Sequence, residues 1–196
     1  MSTVQLVISH AVCMMTAFGV LMPCAVLAKI YRRTNNTWFY IHIAFNMTGI
    51  LLAFSGFVLG ISAAKDGNFT HIHPIMGLTT MSLVMIQPLN AAIRPFHEES
   101  RLRTAWRWTH KITGQLILCT SSMTIALGIR YAYQLEYYNS ETYKILAITY
   151  LVYSSMVGIL MFMPLFWSCC KTCDCPVVLT RDGIEEIEMG EIPKTN

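Results

Sequence analysis

Apolar positions in this chain run on for longer than a soluble helix or strand needs. Five runs, at about 4 to 30, 38 to 63, 71 to 93, 106 to 132 and 144 to 168, could each cross a hydrocarbon core of roughly 30 Å, which takes about 20 residues at 1.5 Å of rise. Between them lie stretches with turn and loop chemistry: RRTNNT at 32 to 37, KDGN at 65 to 68, RPFHEESRLR at 94 to 103 and EYYNSE at 136 to 141. Such short connections make neighbouring helices antiparallel. Pro23 and Pro88 fall inside runs, where they are expected to kink a membrane helix without ending it. The first run has no basic n-region, is longer than a signal-peptide core and contains His10, so it is read as a retained span.

Composition agrees with this pattern. Hydrophobic residues make up 54% of the chain and charged ones 13%, so water is not the solvent for most of it. The runs leave no room for a second globular domain: residues 1–168 are read as one transmembrane domain, and 169–196 as a disordered, Cys-rich and acidic cytoplasmic tail. The formal charge of +3 is small, and its clustering at helix ends points to membrane orientation and away from nucleic acid. On the side of the 29–37 turn, the 94–111 loop and the tail lie eleven Lys and Arg residues; the other side has three, Lys65, Arg130 and Lys144. By the positive-inside rule the N-terminus is extracytoplasmic and the C-terminus cytoplasmic. The sequon at Asn68 faces the glycosylating side but lies close to the third helix.

Six histidines then carry the chemistry, at 10, 42, 71, 73, 97 and 110. An ionisable side chain within a span is costly and points to a functional site. Helices one and three both begin outside, with His10 and His73 near their starts; helices two and four both begin at the cytoplasmic face, with His42 and His110 about a turn in. The four sort into two level-matched pairs, each from two different helices. A porphyrin iron takes two axial ligands on opposite faces, and facing helices of a bundle can supply them. Two such sites lie about 15 to 20 Å apart in a core of roughly 30 Å, close enough for a transmembrane electron wire. The expected fold is therefore an all-α, integral membrane bundle of five transmembrane helices with a four-helix di-haem core. Gly77, Gly114 and Gly49 sit on the histidine faces and either leave room for a flat macrocycle or serve as small-residue helix contacts. Zinc or a proton path competes with haem, but the spans have no interior Asp or Glu to complete a zinc site. His71 is read as interfacial and a substitute ligand, and His97 as solvated. Gln87, fourteen residues beyond His73, falls at the depth of the inner site, and Asn46 is one turn after His42; both are expected to hydrogen-bond there.

The stretch HPIMGLTTMSLVMIQPLNAAIRP at 73–95 and WRWTHKITG at 106–114 resemble the cytochrome b561 domain of ferric-chelate reductases and DOMON-linked cytochromes. The resemblance rests on His73, Gly77, Gln87, Arg94 and Pro95, on Trp106 four residues before His110, and on the His10 and His42 helices, covering about residues 8 to 165. It implies two haem b groups, ligated by His10 with His73 and by His42 with His110. It also implies ascorbate or a similar reductant in the cytoplasm, and ferric iron or monodehydroascorbate as acceptor outside. Relatives of this type carry a reelin or DOMON domain ahead of the first helix, and here the chain starts within ten residues of His10. A separate extracytoplasmic domain or subunit is the expected partner, besides membrane lipid and a second copy in a homodimer. The membrane is the plasma membrane or that of an endomembrane vesicle. An anionic reductant would meet a basic collar of Lys29, Arg33, Arg94, Arg101, Arg103, Arg107 and Lys111. Flavin-linked ferric reductases differ: they place paired histidines on one helix and bind dinucleotides in a soluble domain, for which a 28-residue tail has no room.

The remaining residues divide more plainly. Cys13, Cys24 and Cys119 are read as small packing residues in spans, and Cys169, Cys170, Cys173 and Cys175 as lipidation sites ahead of a metal site. The histidine-free fifth helix is expected to be peripheral, with Tyr143, Tyr150, Tyr153 and Trp167 as interface anchors or lipid-facing bulk. Trp38, Trp106 and Trp108 suit the interfacial belt, unless one of them stacks near the reductant. The competing function class is a haem-free membrane adaptor that keeps the fold and works by binding a partner.

Overall fold

The structure, a computed structural model, describes residues 2–31, 37–64, 70–95 and 101–172, the side chains at 162 and 164–172 excepted. Among the described residues the chain is all-α, with five helices long and apolar enough to cross a membrane. They are α1 (Thr3–Ile30), α2 (Thr37–Ala63), α3 (Ile72–Ala92), α4 (Arg101–Gln134) and α5 (Ser140–Thr172). Arg33, Asn68, His97, Cys173, Cys175 and the acidic tail lie outside the described residues.

The spans fall where the apolar runs place them, but α4 starts five residues earlier than the run, and α5 four. Helix need not stop where the hydrocarbon does: α4, with 34 residues, is about 51 Å long, and its polar start extends past the core. There Arg103, 6% exposed, donates through Nη1 to the Pro95 carbonyl at 2.7 Å. Asn139 accepts from the Thr142 amide at 2.8 Å, an N-cap that starts α5. At the far end of α4, Glu136 takes a left-handed φ of 58°, and Tyr137 donates its amide to the Ala132 carbonyl, closing a Schellman turn. A reciprocal capping box of Ser2 and Gln5 starts α1.

The middle of α1 is π-helical over Met15–Leu21. Pro23 follows directly, and having no N–H it leaves the Gly19 carbonyl without its usual donor. The Tyr153 hydroxyl of α5 donates to that carbonyl. The reverse contact has the same logic: Pro164 cannot serve the Leu160 carbonyl of α5, and Tyr31 of α1 donates to it at 2.9 Å. Two proline-freed carbonyls are thus capped by two tyrosines, that of Gly19 between the helices, where a membrane interior requires it, and that of Leu160 by the exposed residue that ends α1. Tyr150 donates to Ser122 of α4, to its carbonyl or hydroxyl, at 3.2 and 3.1 Å. Tyr150 and Tyr153 are therefore helix-to-helix ties, which corrects their reading as interfacial or lipid-facing bulk; a half-buried phenol gains more from a polar partner on the next helix than from lipid.

Helix α2 lies along α1, α3 lies along α4, and α5 rests on α4 and the C-terminal half of α1. The α1–α2 seam is made by small residues at Gly49, Ala53 and Gly56, all buried. A Cβ on Gly56 would come within 2.9 Å of the Cys13 Cβ. The two helix pairs meet where the π-helical segment touches α4 and where α2 touches α3. Ala17, Phe18, Met22, Ala53, Met81, Val84, Ile117 and Ile125 form the apolar core between them. This arrangement leaves the pair-to-pair contact at each end of the bundle to the histidines.

Candidate functional site

His10 of α1 meets His73 of α3, with ring centroids 6.1 Å apart and planes at 87°. At the other end His42 of α2 meets His110 of α4, at 6.4 Å and 64°. An imidazole nitrogen binds a transition metal at about 2 Å, and a ring centre lies about 1.1 Å from its nitrogen. Two imidazoles on opposite sides of one ion thus have centres about 6.3 Å apart on the same metal–nitrogen length, the separation seen in both pairs. From His10 to Ala25, whose carbonyl is bound by His42, is at most about 22 Å along the helix axis, and less for the π-helical turns between them, near the upper end of the separation that the span lengths suggest.

The second nitrogen of three rings is already engaged. His10 Nδ1 lies 2.7 Å from the Gly56 carbonyl, His42 Nδ1 3.0 Å from that of Ala25, and His73 Nδ1 3.0 Å from that of Thr124. A carbonyl only accepts, so Nδ1 carries the proton and Nε2 is left free to bind a metal. Each of these bonds runs within a helix pair, α1 with α2 or α3 with α4, while each ring pair bridges between the two. His110 is the exception. Its Nδ1 is buried without a hydrogen-bond partner, and its ring stacks on Trp106 at 5.4 Å and 14°.

Room for the imidazoles comes from glycines that the sequence pattern did not single out. A Cβ on Gly60 would lie 2.7 Å from His10 Nδ1, and one on Gly128 would lie 2.8 Å from His73 Cε1. Of the three glycines read either as room for a macrocycle or as helix contacts, Gly49 and Gly114 face Met22 and the Gln87 amide at 3.1 Å, as helix contacts do, while a Cβ on Gly77 would meet only Thr124 at 3.8 Å. The signal that could have found Gly60 is the small-residue series at 49, 53, 56 and 60, whose last member falls level with His10.

Donor chemistry bears on what the pairs can hold. Among the described residues no group of three or more His, Cys, Asp and Glu side chains could hold a metal ion. Two imidazoles alone do not complete a zinc site, but they complete an iron whose other four nitrogens belong to a porphyrin. The residues present therefore fit a bis-histidine haem at each level.

The polar residues around the inner pair mostly serve the helices. Gln87 donates to the His110 carbonyl at 3.0 Å and accepts from the Thr113 hydroxyl at 2.9 Å. Asn46 donates to the His42 carbonyl at 2.7 Å. Lys29 Nζ lies 3.9 Å from the Trp38 ring centre and Lys111 Nζ 5.3 Å from that of exposed Trp108. Arg107 donates to the Thr104 hydroxyl at 3.4 Å, and exposed Arg101 begins α4. Arg94 and Arg103 place their guanidinium carbons 5.8 and 5.2 Å from the Trp106 ring. At the outer end exposed His71 lies 4.9 Å from Tyr131, which itself stacks on His73 at 6.0 Å and 26°.

A family model of eukaryotic cytochrome b561 matches residues 9–135, which begin just before His10 and take in all four paired histidines. The chain belongs to the cytochrome b561 family. The family is one of membrane cytochromes, associated with b-type haem and electron transfer. Two similar proteins are cytochrome b561 and DOMON domain-containing proteins of Arabidopsis thaliana. One is 32% identical over 129 residues, 61% of this chain and 27% of the relative; the other is 31% identical over 130 residues, 63% and 31%. A Xenopus laevis protein bearing the name "Putative ferric-chelate reductase 1" is 31% identical over 100 residues, 47% of this chain and 16% of its own length. The matched segment thus spans about a third or less of each of these relatives.

Proposed function

We propose that this b561 chain carries electrons through two haems, an outer one between His10 and His73 and an inner one between His42 and His110, from a cytoplasmic reductant to an extracytoplasmic acceptor. The observation that carries the reading is the pair of imidazole couples, each spaced for one ion and lying at opposite ends of one bundle. Bound haem iron supplies a one-electron couple at each level. The chain's own residues hold the imidazoles: Gly56, Ala25 and Thr124 fix three tautomers, Gly60 and Gly128 leave the rings their space, and the apolar core keeps water from the middle of the bundle.

Direction follows from charge. With the N-terminus outside, the inner pair lies at the end rich in Lys and Arg, where Lys29, Arg94, Arg107 and Lys111 raise the local concentration of an anion. Ascorbate or a comparable anionic reductant fits that end. The name of the Xenopus relative supports ferric iron as the outer acceptor, and the names of the Arabidopsis relatives support a DOMON domain on the outer side. Outward electron flow also runs with an inside-negative potential, worth about 2.3 kcal/mol per 100 mV for a full charge crossing. In sealed vesicles of known orientation, ascorbate on the cytoplasmic side reduces both haems and then an impermeant ferric chelate outside. Reduction only when ascorbate is offered at the outer face contradicts the direction, and a colourless chain from haem-supplied cells contradicts the reading as a whole.

A further inference from the structure

The four imidazoles are not held alike. His10, His42 and His73 each donate Nδ1–H to a backbone carbonyl of the neighbouring helix, whereas the Nδ1 of His110 is buried and unpartnered. What His110 has instead is the face of Trp106, nearly parallel at 14°. His73 also has a stacked neighbour, Tyr131, but the Thr124 carbonyl holds it as well. Stacking without a carbonyl is peculiar to His110 among the four.

The indole is built to stay put. Its Nε1–H donates at 2.7 Å to the carbonyl of Asn90, one of the last four of α3, which have no donor inside their own helix. The guanidinium groups of Arg94 and Arg103 lie within cation–π range of its ring. Arg103 is buried and tied to the Pro95 carbonyl, so the turn leaving α3 and the first turn of α4 are joined around the indole. Trp106 also precedes His110 by four residues, the offset that sets two side chains side by side on one helix face.

We propose that Trp106 is the positioning residue for His110, its clamped indole face fixing the imidazole plane that a carbonyl fixes for the other three. The proposal rests on the reading that His42 and His110 hold the inner haem. A metal-bound imidazole takes both its orientation and part of its basicity from what its second nitrogen meets. At His110 that nitrogen meets no acceptor, so orientation comes from stacking alone. Removing the stack therefore changes the ligand plane at one site and leaves the other unchanged.

The test uses the full chain and four proteins: wild type, His110→Ala, Trp106→Ala and Trp106→Phe. Haem per chain, the low-spin EPR signals and the midpoint potentials are measured for each. His110→Ala marks which signal belongs to the inner site. Trp106→Ala is expected to shift that signal alone, with its midpoint, or to halve its intensity, and Trp106→Phe, which keeps a flat face but loses the Nε1–H tie to Asn90, recovers both in part. The proposal is overturned if Trp106→Ala leaves the inner signal in place, if both signals move together, or if Phe fails as Ala does. Should His110→Ala itself leave every haem signal intact, the pairing of histidines is wrong and the role of Trp106 falls with it.

Discussion

Gly60 and Gly128 decide whether two of the imidazoles can stand where they do. A methyl group on either would press on the ring of His10 or His73 at well under van der Waals contact, and neither ring can move without leaving its carbonyl, Gly56 or Thr124. Overpacking of this kind costs about 1 to 3 kcal/mol, and here the strain falls on the outer pair. Gly60→Ala and Gly128→Ala should each lower occupancy or shift the spectrum of the outer haem while the inner one is unchanged, as separate redox titrations would show. Gly158→Ala, in the histidine-free α5 with nothing within 4 Å of an added Cβ, serves as the neutral control. The four paired histidines were legible in the sequence because depth along a span can be counted from its end. Their supports were not: which carbonyl faces His10 depends on how α1 and α2 rotate against each other, and that depends on small residues whose contacts no spacing on one helix reveals.

At the scale of the element, the exchange of hydroxyls between α1 and α5 explains how an otherwise peripheral helix is held. Tyr153 serves the carbonyl that Pro23 frees, and Tyr31 the one that Pro164 frees. Tyr153→Phe strands the Gly19 carbonyl and should destabilise the chain by about 0.5 to 2 kcal/mol. Pro23→Ala supplies an N–H in its place, so adding it to Tyr153→Phe should cost less than the two single changes sum to. A double-mutant cycle of detergent-solubilised protein measures that coupling, and strict additivity would leave the contact without energetic weight. Both prolines stand in the sequence, and their freed carbonyls can be named from it. The donors cannot, because Gly19 and Tyr153 lie 134 residues apart. Hydropathy likewise finds all five spans, yet it stops short at Arg101 and Ser140, where side-chain hydrogen bonds carry the helix past the apolar run.

On the scale of the whole molecule, the surface and the interior have exchanged their usual roles. Leu151, Val152, Met156 and Ile159 of α5 and Leu51 and Phe54 of α2 are exposed, a lipid-facing belt in a membrane, while the most constrained polar groups lie between the helices. Two helix pairs joined at mid-depth, with an imidazole couple at either end, lead the proposed reading to expect that one haem site can be removed without dismantling the other. The most direct test of that claim counts haem. Wild-type chain, His73→Ala and His110→Ala are purified from the same haem-supplied cells, and haem per chain is measured with the reduced-minus-oxidised spectrum. The account predicts two haems in the wild type and one in each variant, with the surviving haem of His73→Ala different in potential from that of His110→Ala. Two haems retained after either substitution, or the same haem lost from both, would contradict it.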